Sequence, residues 1–152
     1  MTIRKLNVDD LNQLLELYVH LIPNDDPLPE KDAVCSIWSS ICGNSDRLYF
    51  GVFEERMVST CNLTIIPNLT RGCRPYGLIE NVVTHADHRR KGYGKAVLDH
   101  ALNYAKDRNC YKVMLLTGSK KEETYRFYES VGFDRHTKQG FVIRFPHSSQ
   151  NA

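Results

Sequence analysis

Several classes of protein are excluded by features that the sequence lacks. No stretch of its 152 residues approaches the roughly 18 consecutive apolar residues of a membrane-spanning helix. The first ten residues lack the apolar run and the small-residue cleavage site of a secretory signal peptide. The net charge is only +2, so overall electrostatic attraction to nucleic acid is absent. We therefore expect a soluble, cytoplasmic protein that binds neither membranes nor nucleic acid.

The five cysteines lack the spacing of a metal site or of a disulfide framework. Their number is odd, and no two of them form a Cys-x-x-Cys pair. Free cysteines in or beside apolar runs behave as small hydrophobic residues, so we predict structural thiols. Of the histidines, only His85 and His88 lie close together, and they precede a predicted helix. We predict no metal site.

The residues that are present suffice for one folded domain. Hydrophobic residues make up 41% of the chain and charged residues 25%, close to the averages of globular proteins. The sequence contains no internal repeat, low-complexity tract or linker that would divide it. We predict a single domain over residues 1–146 and a short tail, residues 147–152.

Hydrophobic periodicity and turn residues predict an α/β fold. The predicted strands cover residues 2–6, 48–53, 57–66, 76–84 and 111–117, with one or two more within 133–145. The predicted helices begin near residues 10, 30, 92 and 122. Asp9 or Asp10 is predicted to cap the first helix, and Gly132 to end the last one. The order β-α-α-β-β-β-α-β-α-β-β favours a mixed sheet that is antiparallel early and parallel around the helix from Gly92.

A basic, glycine-containing segment, Arg89–Lys95, stands out in this nearly neutral chain. It holds four cations and two glycines in seven residues, at the start of a predicted helix. Amides at a helix N-terminus bind anions, and glycine lets a phosphate approach the backbone. Cations at this end would oppose the helix dipole if no anion were bound. The segment therefore predicts a phosphate or pyrophosphate cradle more strongly than a merely solvated surface.

Two common nucleotide motifs fit this segment poorly. A Walker-A loop needs Ser or Thr after the Gly-Lys pair, where this chain has Ala96. A Rossmann fingerprint needs a third small residue at position 97, which is Val97, and an earlier first glycine. The sequence therefore argues against both a Walker-A loop and a Rossmann dinucleotide site in this segment.

The spacing Arg89-x-x-Gly92-x-Gly94 resembles the Arg/Gln-x-x-Gly-x-Gly/Ala signature of the GNAT superfamily of N-acetyltransferases. Residues 79–84, Ile-Glu-Asn-Val-Val-Thr, look like the fourth strand of that family. Residues 125–133 look like its late helix, commonly Leu/Phe-Tyr-x-x-x-Gly-Phe, and the predicted order of elements also agrees. The resemblance implies a GNAT-like, mostly antiparallel central sheet flanked by helices. It also implies transfer of an acetyl group from acetyl-CoA to a primary amine.

The resemblance further implies which residues hold coenzyme A. The amides of the loop would bind the pyrophosphate, and the end of the preceding strand would offer backbone groups to the pantetheine arm. The implied coenzyme-binding residues are Val82, Val83, Thr84, Arg89, Arg90, Lys91, Gly92, Tyr93, Gly94 and Lys95. From the sequence alone, Val82 and Val83 fit an ordinary core strand equally well. Many relatives have Asn seven residues before the late-helix tyrosine, where this chain has Lys121.

Two residues are candidates for proton transfer. The tyrosine that matches the frequent general acid of the family is Tyr128, although its helical spacing also fits a core tyrosine. Glu80 is a candidate base within an apolar strand, where simple alternation places it on one face with Leu78 and Val82. Partial desolvation there would raise its pKa. A structural role for this carboxylate, or a chain of water molecules as the base, is equally compatible with the sequence.

No motif identifies the acceptor, so small-molecule and peptide amines both remain open. An alternative function is a non-catalytic module that binds or senses acyl-CoA, which would keep the cradle without turnover. Related folds often dimerise, so the resemblance also suggests a homodimer, which the sequence itself does not indicate.

Overall fold

The computed structural model of the chain describes residues 1–147. The predicted tail, residues 147–152, lies outside the described residues except for His147. The chain divides into two compact units, Met1–Thr117 and Gly118–Ala152. The single domain over residues 1–146 stays a prediction.

The first unit is built on a five-stranded sheet whose strands follow one another in chain order. The strands are β1 (Thr2–Lys5), β2 (Arg47–Phe53), β3 (Met57–Ile66), β4 (Tyr76–Thr84) and β5 (Val113–Leu115). The first four pair antiparallel, whereas β5 runs parallel to β4. This confirms the predicted mixed, mostly antiparallel sheet.

Helices of the first unit pack on both faces of this sheet. They are α1 (Leu11–Tyr18), α2 (Lys31–Cys42), the short irregular α3 (Thr70–Cys73) and α4 (Tyr93–Asp107). Leu17 of α1, Trp38 of α2 and Val83 of β4 belong to one buried cluster, which places α1 and α2 on one face. On the other face the ring of Phe50 contacts His100 of α4, with centroids 4.9 Å apart. The second unit contains α5 (Glu122–Val131), which ends at Gly132 as predicted.

Asp10 occupies the position before α1, as predicted, but its side chain makes no capping hydrogen bond to that helix. The capping hydrogen bond is made by Asn7, at the start of the short 3-10 turn Val8–Asp10 that leads into α1. The Asn7 side chain accepts a hydrogen bond from the amide of Asp9 at 2.9 Å. Asp10 instead accepts from the Asn7 amide at 2.8 Å, and it receives two hydrogen bonds from the Arg4 guanidinium at 2.7 and 2.8 Å. These hydrogen bonds from Arg4 hold the pKa of Asp10 below its usual value.

We expect Asp10→Asn to lower the free energy of unfolding by about 1–3 kcal/mol, because it removes the buried carboxylate that accepts hydrogen bonds from the partly exposed Arg4 and from the Asn7 amide. A carboxyl whose pKa is lowered by folding stabilises the protein above its ordinary pKa, and this contribution is lost as the pH falls through the lowered value. The difference between Asp10→Asn and the wild type should therefore shrink below about pH 4. Urea unfolding at pH 6 and at pH 3 measures it. The exposed neighbour Asp9 supplies the control, since Asp9→Asn should change stability by less than about 0.5 kcal/mol.

The strands predicted within residues 133–145 are wrong, because residues 133–147 form no strand in the described structure. The β-branched and aromatic residues at the end of this segment suit a strand, but strand backbone needs a neighbouring strand to receive its hydrogen bonds. Within the described residues none is paired with this segment. Among residues 1–147, the last two strands of the predicted order are thus absent, and the sheet ends at β5.

Candidate functional site

The segment Arg89–Lys95 leads into the first turn of α4, as its sequence predicts, and a cradle for phosphate there stays a prediction. Gly92 is the residue before the first turn of α4 and has a left-handed backbone, with φ +86°. Within the described part of the chain, the N–H groups of residues 90–95 donate no hydrogen bond. A Cβ at Gly92 would meet no atom within 4 Å, so this side of the loop is open. Six free amides at the positive end of a helix suit a diphosphate.

Two lysines of the cradle are already engaged by other groups of the chain. Lys91 donates to the backbone carbonyl of Asp87 at 2.9 Å, and Lys95 pairs with Asp99 at 2.9 Å. Arg90 makes no ion pair within the described residues, and its own backbone is left-handed, with φ 59°. The backbone amides, more than the cations stressed by the sequence, are therefore the groups left available to an anion.

Arg89, the first residue of the signature, connects two parts of the fold through its guanidinium. Its Nε donates to the carbonyl of Thr84 at 3.2 Å, and one terminal nitrogen donates to the carbonyl of His20 at 3.4 Å. The side chain thus links the end of β4 to the turn after α1. This arrangement positions the loop, and a direct contact of Arg89 with coenzyme A stays a prediction.

A bulge in β4 was not predicted from the sequence. Glu80 lies opposite Asn62 of β3, and Val83 lies opposite Thr60, so β4 has one extra residue in this interval. Asn81, within the bulge, has φ +51°. Asparagine tolerates left-handed backbone better than most residues, so a polar Asn inside an apolar strand is the one local signal for it.

Beyond the bulge, β4 has an open edge. Strand β5 pairs with β4 only along Gly77–Ile79, and the same edge of residues 80–84 has no strand partner in the described structure. The end of β4 is held from the other side, where the Ser59 hydroxyl lies 3.1 Å from the Val83 carbonyl and 2.9 Å from the Thr84 hydroxyl. A fixed strand end with an open edge suits an extended ligand that hydrogen-bonds to backbone.

The bulge changes the surroundings predicted for Glu80. Because Glu80 and Val83 face Asn62 and Thr60, which are two residues apart on β3, they share one face of the sheet. Simple alternation, which groups Glu80 with Val82, is therefore wrong. Glu80 is also exposed, so the predicted partial desolvation is wrong as well. An exposed carboxylate can still accept a proton and pass it to water.

Polar atoms are buried on the same face of the sheet as Glu80. The hydroxyl of Tyr18 and the side-chain oxygen of Asn62 are inaccessible and make no hydrogen bond of normal geometry within the described residues, although Tyr49 and Asn81 lie near Tyr18. Burial raises the pKa of Tyr18, so its phenol remains neutral. Buried polar atoms are normally paired, so these two mark a region able to hold water or a polar group.

Tyr128 lies on α5, in the second unit. Its ring centroid is 5.1 Å from that of Phe127 and 6.3 Å from that of Phe133. The helix ends at Gly132, with φ +110°, and the amide of Phe133 donates to the carbonyl of Tyr128. The predicted Tyr-x-x-x-Gly-Phe motif thus forms one helix end, and the catalytic role of Tyr128 stays a prediction.

Two further properties concern residues 1–147. No helix among them is long and apolar enough to span a membrane. No group of three His, Cys, Asp or Glu side chains in this range is arranged to hold a metal ion.

Known proteins resemble the chain over nearly its whole length. The model of the acetyltransferase (GNAT) family matches residues 11–133. A glucosamine 6-phosphate N-acetyltransferase of Trypanosoma brucei brucei is 31% identical over 139 residues, which cover 91% of this chain and 92% of that protein. A solved structure from Agrobacterium tumefaciens str. C58, named as an acetyltransferase, is 42% identical to this chain and superimposes on it with a TM-score of 0.89. The match covers 95% of this chain and 100% of that one.

A third match is a solved structure of an enzyme whose activity is given in its name. The crystal structure of glucosamine-6-phosphate N-acetyltransferase from Arabidopsis thaliana superimposes with a TM-score of 0.81 at 26% identity, over 93% of this chain and 97% of that one. The family match, these relatives and the loop geometry agree with one another. The chain belongs to the GNAT family of acetyltransferases and is an acyltransferase enzyme.

Proposed function

We propose that the protein transfers an acetyl group from acetyl-CoA to a primary amine, by direct attack of the amine within a ternary complex. The observation that carries this proposal is the row of six free amides at the start of α4, next to the open edge of β4. Coenzyme A contains a diphosphate joined to an extended arm with amide groups. The diphosphate matches the free amides at the start of α4, and the arm matches the open edge of β4.

The cradle and the strand end have different roles in this proposal. The N–H groups of residues 90–95 bind the pyrophosphate, and residues 82–84 offer backbone groups to the pantetheine arm and the acetyl carbonyl. The side chain of Val83 is buried in the core, so only its backbone is available to a ligand. A binding role of the backbone places no demand on the side chains, so residues 82–84 can have an ordinary strand sequence.

The transfer itself needs two proton movements. The lone pair of the amine attacks the thioester carbonyl carbon, and the carbon–sulfur bond breaks as the amide forms. The Tyr128 hydroxyl donates a proton to the departing thiolate of coenzyme A. The proton lost by the attacking nitrogen passes to Glu80, directly or through water, and from this exposed carboxylate to solvent.

The acceptor that we propose is an amino sugar phosphate such as glucosamine 6-phosphate. Support comes from three relatives with this activity in their names, from Trypanosoma, Schizosaccharomyces pombe and Arabidopsis. The cytoplasmic location and the homodimer expected from the sequence are part of the proposal.

The test is an assay of free thiol released from acetyl-CoA in the presence of separate amines. Glucosamine 6-phosphate, glucosamine, spermidine and a peptide with a free N-terminus form the panel. We expect thiol release that requires the protein and glucosamine 6-phosphate, with the acetylated sugar confirmed by mass spectrometry. Release only with another amine would contradict the acceptor. Calorimetric binding of acetyl-CoA with no release for any amine favours the sensing module, and absence of binding removes the cradle assignment.

Glu80→Gln should lower kcat about tenfold and leave the acetyl-CoA Kd unchanged, because water can partly replace an exposed base. The pH profile of kcat supplies the second measurement. The fall in kcat at low pH should become smaller, or shift to another pH, when the carboxylate is removed. Glu55→Gln, in the exposed turn between β2 and β3, is the matched control. Wild-type kcat and an unchanged profile in Glu80→Gln would show that the base is water alone.

A further inference from the structure

A cavity of about 180 Å³ lies between α1, the β2–β3 turn with the start of β3, and the segment that follows β4. Its apolar lining consists of the buried side chains of Leu17, Met57 and Val58. Its polar lining consists of Gln13, Glu16, His20, Arg56, His85 and His88. None of residues 89–95 lines it, so the cavity is separate from the predicted coenzyme cradle. Sites for drug-sized ligands begin at roughly 300 Å³, so this cavity admits only a small molecule.

The three histidines of this cavity form one contiguous group of rings. The ring centroids of His20 and His85 are 4.1 Å apart, and those of His85 and His88 are 5.5 Å apart. His85 Nδ1 accepts a hydrogen bond from the Asp87 amide at 3.2 Å, so the proton of its neutral ring is on Nε2. His88 Nδ1 is inaccessible and has no hydrogen-bond partner within the described residues. His85 and His88 therefore each have a ring nitrogen that is available to a ligand.

Other polar side chains of the cavity also have unused hydrogen-bond donors. The Gln13 side-chain oxygen accepts from the Met57 amide at 2.8 Å, and the Gln13 amide nitrogen makes no hydrogen bond in the described part of the chain. One terminal nitrogen of Arg56 pairs with Glu16, which is the acidic residue of the lining, and the other nitrogens of this guanidinium have no partner among residues 1–147. Donors thus exceed free acceptors, which suits a ligand that presents oxygen acceptors.

We propose that this cavity binds a small organic carboxylate. The carboxylate oxygens accept hydrogen bonds from Gln13, Arg56 and the imidazoles, and the short apolar body of the ligand contacts the apolar lining. A bare inorganic anion would leave that apolar lining without a partner, and a neutral molecule would not use the charge of Arg56. The site does not depend on the acetyl-transfer reaction, so its failure and the failure of the proposed function are separate outcomes.

The net positive charge of the cavity depends on its imidazoles, because Arg56 and Glu16 neutralise each other. Burial, followed by the neighbouring His85 and Arg89, lowers the pKa of His20. The charged groups around the three rings are Glu16, Glu54, Arg56, Asp87 and Arg89. Protonation of an imidazole adds positive charge, so a carboxylate should bind more tightly at pH 6 than at pH 8.

The first test is calorimetric titration of the full chain with butyrate. We expect saturable binding with a Kd on the order of millimolar, as suits a ligand of few atoms. The Kd should be at least about threefold higher at pH 8, and at least about threefold higher for acetate, which lacks the apolar body. Butyramide, a neutral analogue of the same shape, should bind at least about tenfold more weakly. Absence of butyrate binding, equal affinity at both pH values, or tighter binding of inorganic phosphate would overturn the carboxylate site.

Nuclear magnetic resonance of isotope-labelled histidine rings locates the ligand. Butyrate should shift the ring signals of His20, His85 and His88, and it should leave those of His100 and His136 unchanged. The opposite pattern would place the ligand elsewhere. Displacement of butyrate by coenzyme A would place the carboxylate in the predicted cradle and would also contradict the site.

Two exposed residues of the lining give variants with opposite expected effects. Arg56→Gln removes the fixed positive charge and should raise the butyrate Kd at least about tenfold, whereas Glu16→Gln frees Arg56 and should lower the Kd about threefold. The side chains of Arg56 and Glu16 are 66% and 61% exposed, so neither change should unfold the protein. Arg47→Gln, at the exposed start of β2, is the matched control and should leave the Kd unchanged. A wild-type Kd in Arg56→Gln would rule out this cavity as the site.

Discussion

Gly92→Asp should weaken the binding of acetyl-CoA at least about 100-fold, whereas Gly92→Asn should weaken it far less. Both side chains have nearly the same shape, and both tolerate the left-handed backbone that Gly92 adopts. The open space beside this residue accepts either of them. The two variants therefore differ mainly in one negative charge at the mouth of the cradle.

The expected size of the effect follows from Coulomb's law. One carboxylate about 5 Å from one phosphate charge costs about 3 kcal/mol at an effective dielectric constant of about 20. Since 1.4 kcal/mol corresponds to a factor of ten, the Kd should rise by roughly 100-fold or more. A negative charge near the start of α4 also interacts favourably with the helix dipole, so the folded state should not be weakened by the charge.

Calorimetric titration with coenzyme A and with acetyl-CoA measures this prediction. Gly72→Asp is a second control, because Gly72 also has a left-handed backbone and open space, with φ +68°, but lies in the short irregular helix α3. This variant should bind normally. Equal affinities of Gly92→Asp and Gly92→Asn would show that the pyrophosphate lies elsewhere.

The elements that the sequence predicts well are those with strong periodicity and clear boundaries. Strand β4 has the predicted bounds because its β-branched run is followed by a loop. Helix α5 has the predicted bounds because Gly132 ends it. The prediction of one or two strands within residues 133–145 is wrong for the described residues. It fails because a strand depends on a partner, and local sequence does not show where that partner lies.

The sequence predicts the local backbone of the candidate site better than the contacts of its side chains. The seven residues 89–95 predict an anion site, yet three of the four cations contact other groups of the chain. Arg89 contacts Thr84 and His20, Lys91 contacts Asp87, and Lys95 contacts Asp99. Which partner a surface cation takes depends on tertiary neighbours, whereas the free amides follow from the helix start itself. The bulge at Asn81 also depends on pairing with β3, so alternation gave the wrong face for Val82.

Tyr128→Phe should lower kcat by about 100- to 1,000-fold and leave the Kd of acetyl-CoA within about twofold of the wild type. A general acid that protonates a leaving group contributes about this factor, equivalent to roughly 3–4 kcal/mol of transition-state stabilisation. The phenyl ring that remains keeps its contacts with Phe127 and Phe133. Thermal unfolding of the variant measures any structural contribution of the hydroxyl separately from kcat.

Tyr125→Phe separates the acid role from a structural one, because it removes a hydroxyl from the same helix. The Tyr125 hydroxyl donates to the carbonyl of Ser119 at 2.8 Å, so this variant should lose about 1 kcal/mol of stability and keep its kcat. Steady-state thiol release gives kcat, and calorimetry gives the Kd for each protein. A Tyr128→Phe enzyme with kcat within threefold of the wild type would contradict the assignment, since water would then protonate the thiolate equally well. A raised Kd with unchanged kcat would instead make Tyr128 a coenzyme-binding residue.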